Sequence, residues 1–476
     1  IIVGRKESTG TKEDSMVVLT NGGSISEKFN EHVNEHVNRN VVLEEETANE
    51  PEKVESNADT LAACDIGTTT VVCYLIDKET GQIISTRSGA NPQRSFGADV
   101  LSRIDAAARA DDNDKANGGL QMMQTQIVSL LNGFISDMLT ECGRTKVCLF
   151  SVAGNTVMCH LLMGISPEKL GRAPFMPDEY FGRAFNPLDI GLENCQTMII
   201  FPAVSGFVGG DITAGMMETV NCKALTLYLD IGTNGEMALG KGDRYVCCAT
   251  AAGPAFEGAQ IEMGMPASRG AVDKVWLEGR RIKYSVIGND RPVGLCGSGL
   301  IDALAILLKA GIIDENGTIL SGQELPMLFR SYVFELEAED AAQSSESSLA
   351  VYIAPGVYIT QEDIRKLQLA KGAIAAGIDI LFKEYGCKPC DLDILTFAGG
   401  FGNYIDKASA AAIGLFPPEL LDRAKEVGNA AGNGAVSAAL SQEAWESALD
   451  ISGKMRYIEL ASYPHFDEIY VQHMNF

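Results

Sequence analysis

Thr226–Glu236 has the sequence TLYLDIGTNGE, and Leu61–Thr70, LAACDIGTTT, repeats its central Asp-Ile-Gly-Thr. In both stretches an apolar run precedes the aspartate, which predicts a buried strand that ends at Asp230 in one copy and at Asp65 in the other. The glycine that follows permits a tight turn and a close approach of a ligand to the backbone. Each stretch therefore predicts a turn whose N–H and O–H groups hold phosphate oxygens, beside a carboxylate that can meet a hydrated cation.

The residues that follow each turn are also repeated. Residues 71–77 and 83–86 predict two further strands after the first copy, and residues 237–239 and 245–249 predict two after the second, with a turn at 240–244. A single Asp-Gly turn after a strand is common, but two copies of strand–turn–strand–turn–strand indicate a long-period internal duplication. We therefore expect two lobes that each supply half of a site for one phosphate chain.

The composition is that of an acidic globular protein. The chain has 476 residues, of which 46% are hydrophobic, and a formal net charge of −25. The length suggests about two to four domains. The negative charge excludes nucleic acid and anionic membranes as favoured partners, because their phosphates would be repelled. No apolar run approaches a membrane span and no signal peptide is visible, so we expect a cytoplasmic protein.

Three regions are predicted along the chain. Residues 1–60 are polar, acidic and rich in Glu and Asn, which predicts a disordered segment or linker. Residues 61–221 contain the first Asp-Ile-Gly-Thr copy and residues 222–476 the second, so we expect one lobe in each region. Within the first lobe, Arg94 and Arg103 are candidates to reach a bound ligand.

Two later glycine-rich stretches complete a set of four elements. Residues 392–403, LDILTFAGGFGN, predict a strand that runs into paired glycines, and residues 427–436, VGNAAGNGAV, predict a glycine-rich helix. In this order, the four elements resemble the acetate kinase, sugar kinase, Hsp70 and actin (ASKHA) superfamily. Its members carry two phosphate hairpins, an adenosine-binding Gly-Gly turn and a late connecting helix. The resemblance implies a duplicated, two-lobe, ribonuclease H-like α/β fold.

A narrower resemblance rests on eight motifs, which cover the chain from about Leu61 to Phe476. In chain order they are CDIGTTT, NPQRSFGADVLSRI, AGNTVMCHLLMG, DIGTNGEMAL, GPAFEGA, GLCGSGLIDALA, FAGGFGNYID and the final ELASYPHFDEIYVQHMNF. Together they resemble the reductive activators of corrinoid proteins. Members of that family couple ATP hydrolysis to the reduction of an inactive Co(II) corrinoid to Co(I), which accepts a methyl group in methyltransferase systems.

The resemblance implies ATP and Mg²⁺ as cofactors and a corrinoid protein as the partner. Many members also carry a [2Fe–2S] ferredoxin domain, but the twelve cysteines of this chain show no cluster spacing and none precedes Cys64. We therefore expect no cluster ligands in this chain and electrons from a ferredoxin-type donor that is a separate protein or a missing domain. The oligomeric state stays open, a homodimer included.

The resemblance also implies roles for individual residues. Asp65 and Asp230 bind Mg²⁺ through water, since Mg²⁺ keeps much of its hydration. Glu236 or Asp230 orients the attacking water, so these carboxylates form the predicted catalytic set. The predicted nucleotide-binding residues are Gly67, Thr68, Thr69, Thr70, Gly232, Thr233, Asn234, Gly297, Ser298, Gly399, Gly400 and Phe401.

Gly297 and Ser298 have a second interpretation. With Asp302 they open a helix whose small residues suit a helix N-terminus that receives an anion. The less favoured alternative is close packing of that helix against a neighbour. If they bind, the resemblance places these three residues either in the nucleotide cleft or on the surface that faces the corrinoid.

Two other functions fit the fold. A small-molecule kinase would need a general base directed at a substrate hydroxyl, and phosphorylation of an added compound would identify it. An Hsp70- or actin-like binding module would use the nucleotide only as a conformational switch, and peptide binding or polymerisation would identify it.

Overall fold

The structure, a computed structural model, describes residues 60–108, 118–219, 223–232, 234–336, 348–399 and 404–476. The predicted disordered segment or linker, residues 1–60, lies outside this part of the chain except for Thr60, which begins the first strand. Among the described residues, no helix is both long and apolar enough to cross a membrane.

A six-stranded sheet organises the first lobe. Its order is β3-β2-β1-β4-β6-β5, with β1 antiparallel to β2 and parallel to β4. The strands are β1 (Thr60–Ile66), β2 (Thr70–Asp77), β3 (Ile83–Ala90), β4 (Val147–Gly154), β5 (Arg183–Phe185) and β6 (Cys195–Ile200). The helices are α1 (Val100–Ala108), α2 (Gly119–Glu141), α3 (Thr156–Met163) and α4 (Gly210–Thr219). β1 is a near-continuous apolar run because both of its faces are covered.

A second six-stranded sheet repeats this arrangement. Its order is β17-β16-β7-β8-β9-β18, with β7 antiparallel to β8 and parallel to β16. The strands are β7 (Thr226–Ile231), β8 (Gly235–Lys241), β9 (Arg244–Thr250), β16 (Ile394–Ala398), β17 (Ala424–Glu426) and β18 (Met455–Tyr457). In both sheets the Asp-Ile-Gly-Thr strand lies between its hairpin partner and a parallel strand. This confirms the predicted duplicated α/β fold, although the turn predicted at 240–244 is shorter, since Gly240 and Lys241 belong to β8 and Arg244 to β9.

The second lobe carries two smaller sheets between β9 and β16. Their orders are β11-β10-β12 and β13-β14-β15. The strands are β10 (Ala271–Glu278), β11 (Arg281–Val286), β12 (Gly294–Leu295), β13 (Val333–Leu336), β14 (Ser348–Ala354) and β15 (Val357–Thr360). The helices of this lobe are α5 (Gly297–Lys309), α6 (Gln361–Tyr385), α7 (Lys407–Ala412), α8 (Ala430–Leu440), α9 (Gln442–Lys454) and α10 (Phe466–Gln472).

Helices α4 and α8 pack against each other between the two large sheets. α8 contacts β1 and β4 of the first sheet, and α4 contacts β4 and also β8 of the second. The helix backbones lie close together because a glycine occupies the contact. A Cβ atom on Gly434 of α8 would lie 2.3 Å from the carbonyl oxygen of Ala214 in α4. A glycine also brings α4 close to the second sheet, since a Cβ atom on Gly215 would lie 2.0 Å from the hydroxyl oxygen of Tyr228 in β7.

We expect Gly434→Ala to destabilise the protein by about 2 kcal/mol, because the added methyl group meets backbone that cannot move without separating the helices. Gly133→Ala is the matched control in α2, where a Cβ atom meets nothing within 4 Å. That variant should gain roughly 0.5–1 kcal/mol from the higher helix propensity of alanine. Urea unfolding monitored by circular dichroism measures both, and equal effects of the two substitutions would contradict the close packing of α4 on α8.

Candidate functional site

The turn after β1 is fixed through its carbonyl groups. The Gly67 N–H donates to the Thr70 carbonyl at 3.0 Å. Asn91 donates its side-chain amide to the Gly67 carbonyl at 2.9 Å and its backbone N–H to the Thr69 carbonyl at 2.9 Å. Arg103 Nη2 donates to the Thr68 carbonyl at 2.5 Å. Because C=O and N–H point in opposite directions across a trans peptide, the N–H groups of Thr68 and Thr69 face away from Asn91 and Arg103.

Arg103 supports this turn and is not placed to bind a ligand. Its side chain is fully buried. Besides the Thr68 carbonyl, it donates to the Gly97 carbonyl at 3.1 Å and to the Met158 sulfur at 3.1 Å. Burial and then the nearby Arg94 lower the pKa of the guanidinium to about 10. The prediction that Arg103 reaches a ligand is wrong, because a hydrophobic pattern around the residue does not reveal which turn carbonyls it will meet.

The second turn lies beside β16 and is closed one residue earlier than the first. The Gly232 N–H donates to the Asn234 carbonyl at 3.0 Å, and Asp230 pairs with Glu236 across the hairpin. Gly399 follows β16 with φ of +81°, and a Cβ atom there would lie 2.3 Å from Asp230 Oδ1. Only glycine therefore allows the backbone to lie against this carboxylate.

The three predicted catalytic residues meet between the lobes, together with Asp211 at the start of α4. Burial and then the nearby Asp211 raise the pKa of Asp65 to about 7. Burial, then Asp211 and Asp65, raise the pKa of Asp230 to about 8. The pKa of Glu236 is also raised well above its usual value by burial and then by Asp211 and Asp230. Burial raises the pKa of Asp211 itself to about 6.

These four carboxylates, the carboxylate cluster, suit a hydrated cation. The interactions that mainly shift their pKa values include carboxylates and asparagines but no lysine or arginine. Within the cluster, Glu236 Oε2 is buried without a hydrogen-bond partner. The described residues contain no group of three or more His, Cys, Asp or Glu side chains placed to hold a metal directly. A cation bound through its water shell, as proposed for Mg²⁺, fits this arrangement.

We expect the carboxylate cluster to make stability depend on pH. The folded state binds protons more tightly than the unfolded chain at these residues, so their contribution is complete below about pH 4 and is lost as pH rises through about 6 to 8. Asp230→Asn removes one member. Its free energy of unfolding should exceed that of the wild type by at least about 2 kcal/mol at pH 8 and by only about 0.5 kcal/mol at pH 4, where Asp230 is protonated in the folded state and partly protonated in the unfolded chain. Urea unfolding at both values measures the difference, and a pH-independent difference would contradict the shifted pKa.

Gly297 and Ser298 begin α5, at the place in the second lobe where this helix packs on β10. The Ser298 hydroxyl donates to the Asp273 carbonyl at 2.8 Å, and Cys296 Sγ donates to the Val272 carbonyl at 3.4 Å. Asp302 accepts a hydrogen bond from the Val275 N–H at 3.2 Å. These side chains therefore serve the contact of the helix with the sheet, and the nucleotide-binding role of Gly297 and Ser298 stays a prediction.

Three predicted nucleotide-binding residues lie outside the described residues: Thr233, Gly400 and Phe401. Their roles stay predictions, as do those of the turn residues Thr68, Thr69 and Asn234. Sequence reasoning missed Asp211 as a member of the cluster. Its signal was present, because Asp211 follows a strand and a Gly-Gly pair, much as Asp65 and Asp230 end strands before a glycine.

Comparison with known proteins covers nearly the whole described part of the chain. Residues 61–221 match the RACo middle region, and residues 224–476 match the C-terminal domain of RACo, the ASKHA domain. The corrinoid activation enzyme RamQ of Eubacterium limosum is 37% identical over 428 residues, which are 87% of this chain and 70% of that protein. The [Co(II) methylated amine-specific corrinoid protein] reductase of Methanosarcina barkeri is 28% identical over 392 residues, 75% of this chain and 65% of that protein.

A solved structure is similar over the same region. The reductive activator for corrinoid, iron–sulfur protein superposes with a TM-score of 0.74 at 34% identity, over 88% of this chain and 66% of that chain. The chain thus spans about two thirds of the length of these relatives.

Proposed function

Because the chain belongs to the family of reductive activators of corrinoid proteins, we propose that it hydrolyses ATP to promote reduction of a Co(II) corrinoid to Co(I) on a partner protein. The observation that carries the ATP part is the carboxylate cluster between two phosphate-binding turns. Four carboxylates with raised pKa values and no principal cationic partner are unfavourable in their ionised form, and a bound cation would stabilise that form. A Mg·ATP complex brings the missing cation together with phosphates for the turns.

Each residue then has a task in the proposed reaction. The N–H groups of Thr68 and Thr69, held outward by Asn91 and Arg103, bind phosphate oxygens. Asp65 and Asp230 orient the water shell of Mg²⁺, which supplies charge neutralisation of the phosphates when bound. Glu236 keeps one oxygen without a partner, and that oxygen accepts a hydrogen bond from the attacking water.

ATP is needed because Co(I) is strongly reducing. For a one-electron couple, each shortfall of about 59 mV in the donor costs a factor of about ten in the yield at equilibrium. When the lobes close on nucleotide, the activator can shift the Co(II)/Co(I) equilibrium only as far as its affinities for the two states of the corrinoid protein differ. We propose that the electrons come from a ferredoxin-type donor that is not part of the ASKHA lobes of this chain. Residues 1–63, which precede most of the first lobe, contain no cysteine that could bind an iron–sulfur cluster. We also propose a cytoplasmic location.

The experiment is anaerobic visible spectroscopy of the cognate corrinoid protein with this protein and a low-potential donor. Added Mg·ATP should increase the Co(I) absorbance, and omission of this protein should remove the increase. An ATP-independent Co(I) yield would contradict the proposal.

A further inference from the structure

Asn155 joins the two lobes at the carboxylate cluster. Its side-chain oxygen accepts from the Val157 N–H at 2.9 Å and so caps the N-terminus of α3 in the first lobe. Its side-chain amide donates at 3.0 Å to Glu236 Oε1, which belongs to the second lobe. Because the side-chain oxygen of Asn155 forms the helix cap, the side-chain NH₂ group is the one that faces Glu236. Asn155 and Glu236 are both buried, at 3% and 6% exposure.

Asn429 makes the reciprocal connection from the second lobe. Its side-chain oxygen accepts from the Gly432 N–H at 2.8 Å and caps α8. Its amide donates to the Tyr74 hydroxyl at 3.4 Å, and a hydrogen bond to Asp65 opposes the rise in the pKa of that carboxyl. Tyr74 and Asp65 belong to the first lobe. Asn155 thus donates from the first lobe to the hairpin of the second, and Asn429 donates to the first lobe's hairpin from the start of α8, which also packs on β1 and β4.

We propose that Asn155 and Asn429 are positioning residues that form an inter-lobe latch and place Glu236 and Asp65 for the reaction. This inference rests on the proposed ATP hydrolysis for its catalytic part. The latch uses Glu236 Oε1 and leaves Oε2 without a partner. Glu236 thus has one oxygen fixed and one free for a water only while the lobes are closed. An open arrangement removes the donor from Glu236, so hydrolysis depends on closure.

The chemistry of helix caps provides the test variants. Aspartate and serine cap helices about as well as asparagine, so Asn155→Asp and Asn155→Ser retain the cap of α3. The serine is too short to donate to Glu236, and the aspartate has no N–H donor for Glu236 Oε1. Asn186→Asp is the control, because Asn186 caps a short exposed 3₁₀ turn through the Leu188 N–H at 3.2 Å and lies outside the cluster.

Two measurements separate the latch from the proposed ATPase activity. At pH 8, Asn155→Ser and Asn155→Asp should each lower kcat for ATP about tenfold, with less than about a threefold change in KM, because the phosphate turns are intact. Small-angle X-ray scattering without nucleotide should show a larger maximum dimension for Asn155→Asp, and a larger one still for the Asn155→Asp/Asn429→Asp double variant. Asn186→Asp should match the wild type in both measurements.

The outcomes distinguish the two ideas. Wild-type scattering and wild-type kcat in Asn155→Asp would overturn the latch. If the wild-type protein hydrolyses no ATP, the proposed function fails. The scattering experiment then still tests the latch by itself. A larger maximum dimension of Asn155→Asp supports the latch, and an unchanged scattering profile overturns it.

Discussion

Asp230→Asn is expected to lower Mg·ATP hydrolysis at least about a hundredfold, the usual effect of removing one preorganised electrostatic contact to a transition state. The stability of the folded protein should not decrease. Burial and the neighbouring Asp211 and Asp65 raise the pKa of Asp230 to about 8, so its charge destabilises the folded protein. Asparagine has the same shape, and Gly399 leaves room for it. The measurements are steady-state phosphate release and the thermal unfolding temperature, which should be equal to or higher than that of the wild type.

Asp77→Asn is the matched control, because Asp77 also ends a hairpin strand. Hydrogen bonds from Thr80 and the nearby Arg144 lower the pKa of Asp77, so its charge stabilises the fold. The control variant should therefore be less stable than the wild type yet hydrolyse ATP normally. If folded Asp230→Asn hydrolyses ATP at the wild-type rate, Asp230 does not belong to the site.

Local repetition explains why part of the site could be predicted from the sequence. Asp65, Asp230 and Glu236 lie within or directly beside the two copies of Asp-Ile-Gly-Thr, and strand geometry alone places their carboxylates at strand ends and hairpin partners. The central position of both strands in their sheets follows from their apolar runs. These features depend on residues that are neighbours in the chain.

The contacts between lobes depend on residues that are far apart. Asn155 and Glu236 are separated by 81 positions, and Asn429 and Tyr74 by 355. Each asparagine looks in the sequence like an ordinary helix cap, which it is, and its second hydrogen bond exists only after the sheets and connecting helices have assembled. At Ser298 the sequence left two roles open, because a small residue at the start of a helix can either bind an anion or allow close packing on a strand. The hydrogen bond from Ser298 to the Asp273 carbonyl favours packing.

Asp65→Asn is expected to abolish the ATP-dependent part of the Co(I) yield. Asp65 is the carboxylate that the first lobe's hairpin contributes to the cluster, and its hydrogen bond with Asn429 ties it to the second lobe. Without its charge, only one hairpin offers a carboxylate to the water shell of Mg²⁺. The nucleotide then has little preference for the closed lobes, and a ligand without differential affinity shifts no equilibrium. Visible spectra of the corrinoid protein, taken with and without Mg·ATP, measure the difference.

Asp137→Asn, on the exposed face of α2, should keep the full ATP effect and so excludes a general effect of lost charge. A non-hydrolysable ATP analogue should permit complex formation but at most one round of activation, because only hydrolysis reopens the lobes for the next corrinoid protein. If Asp65→Asn retains the ATP effect, the two hairpins do not act as one clamp. If ATP leaves the wild-type Co(I) yield unchanged with every corrinoid protein of the same organism, reductive activation fails for this chain. Transfer of phosphate to an added small molecule would then favour a kinase of the same fold, since the same two hairpins would hold its nucleotide.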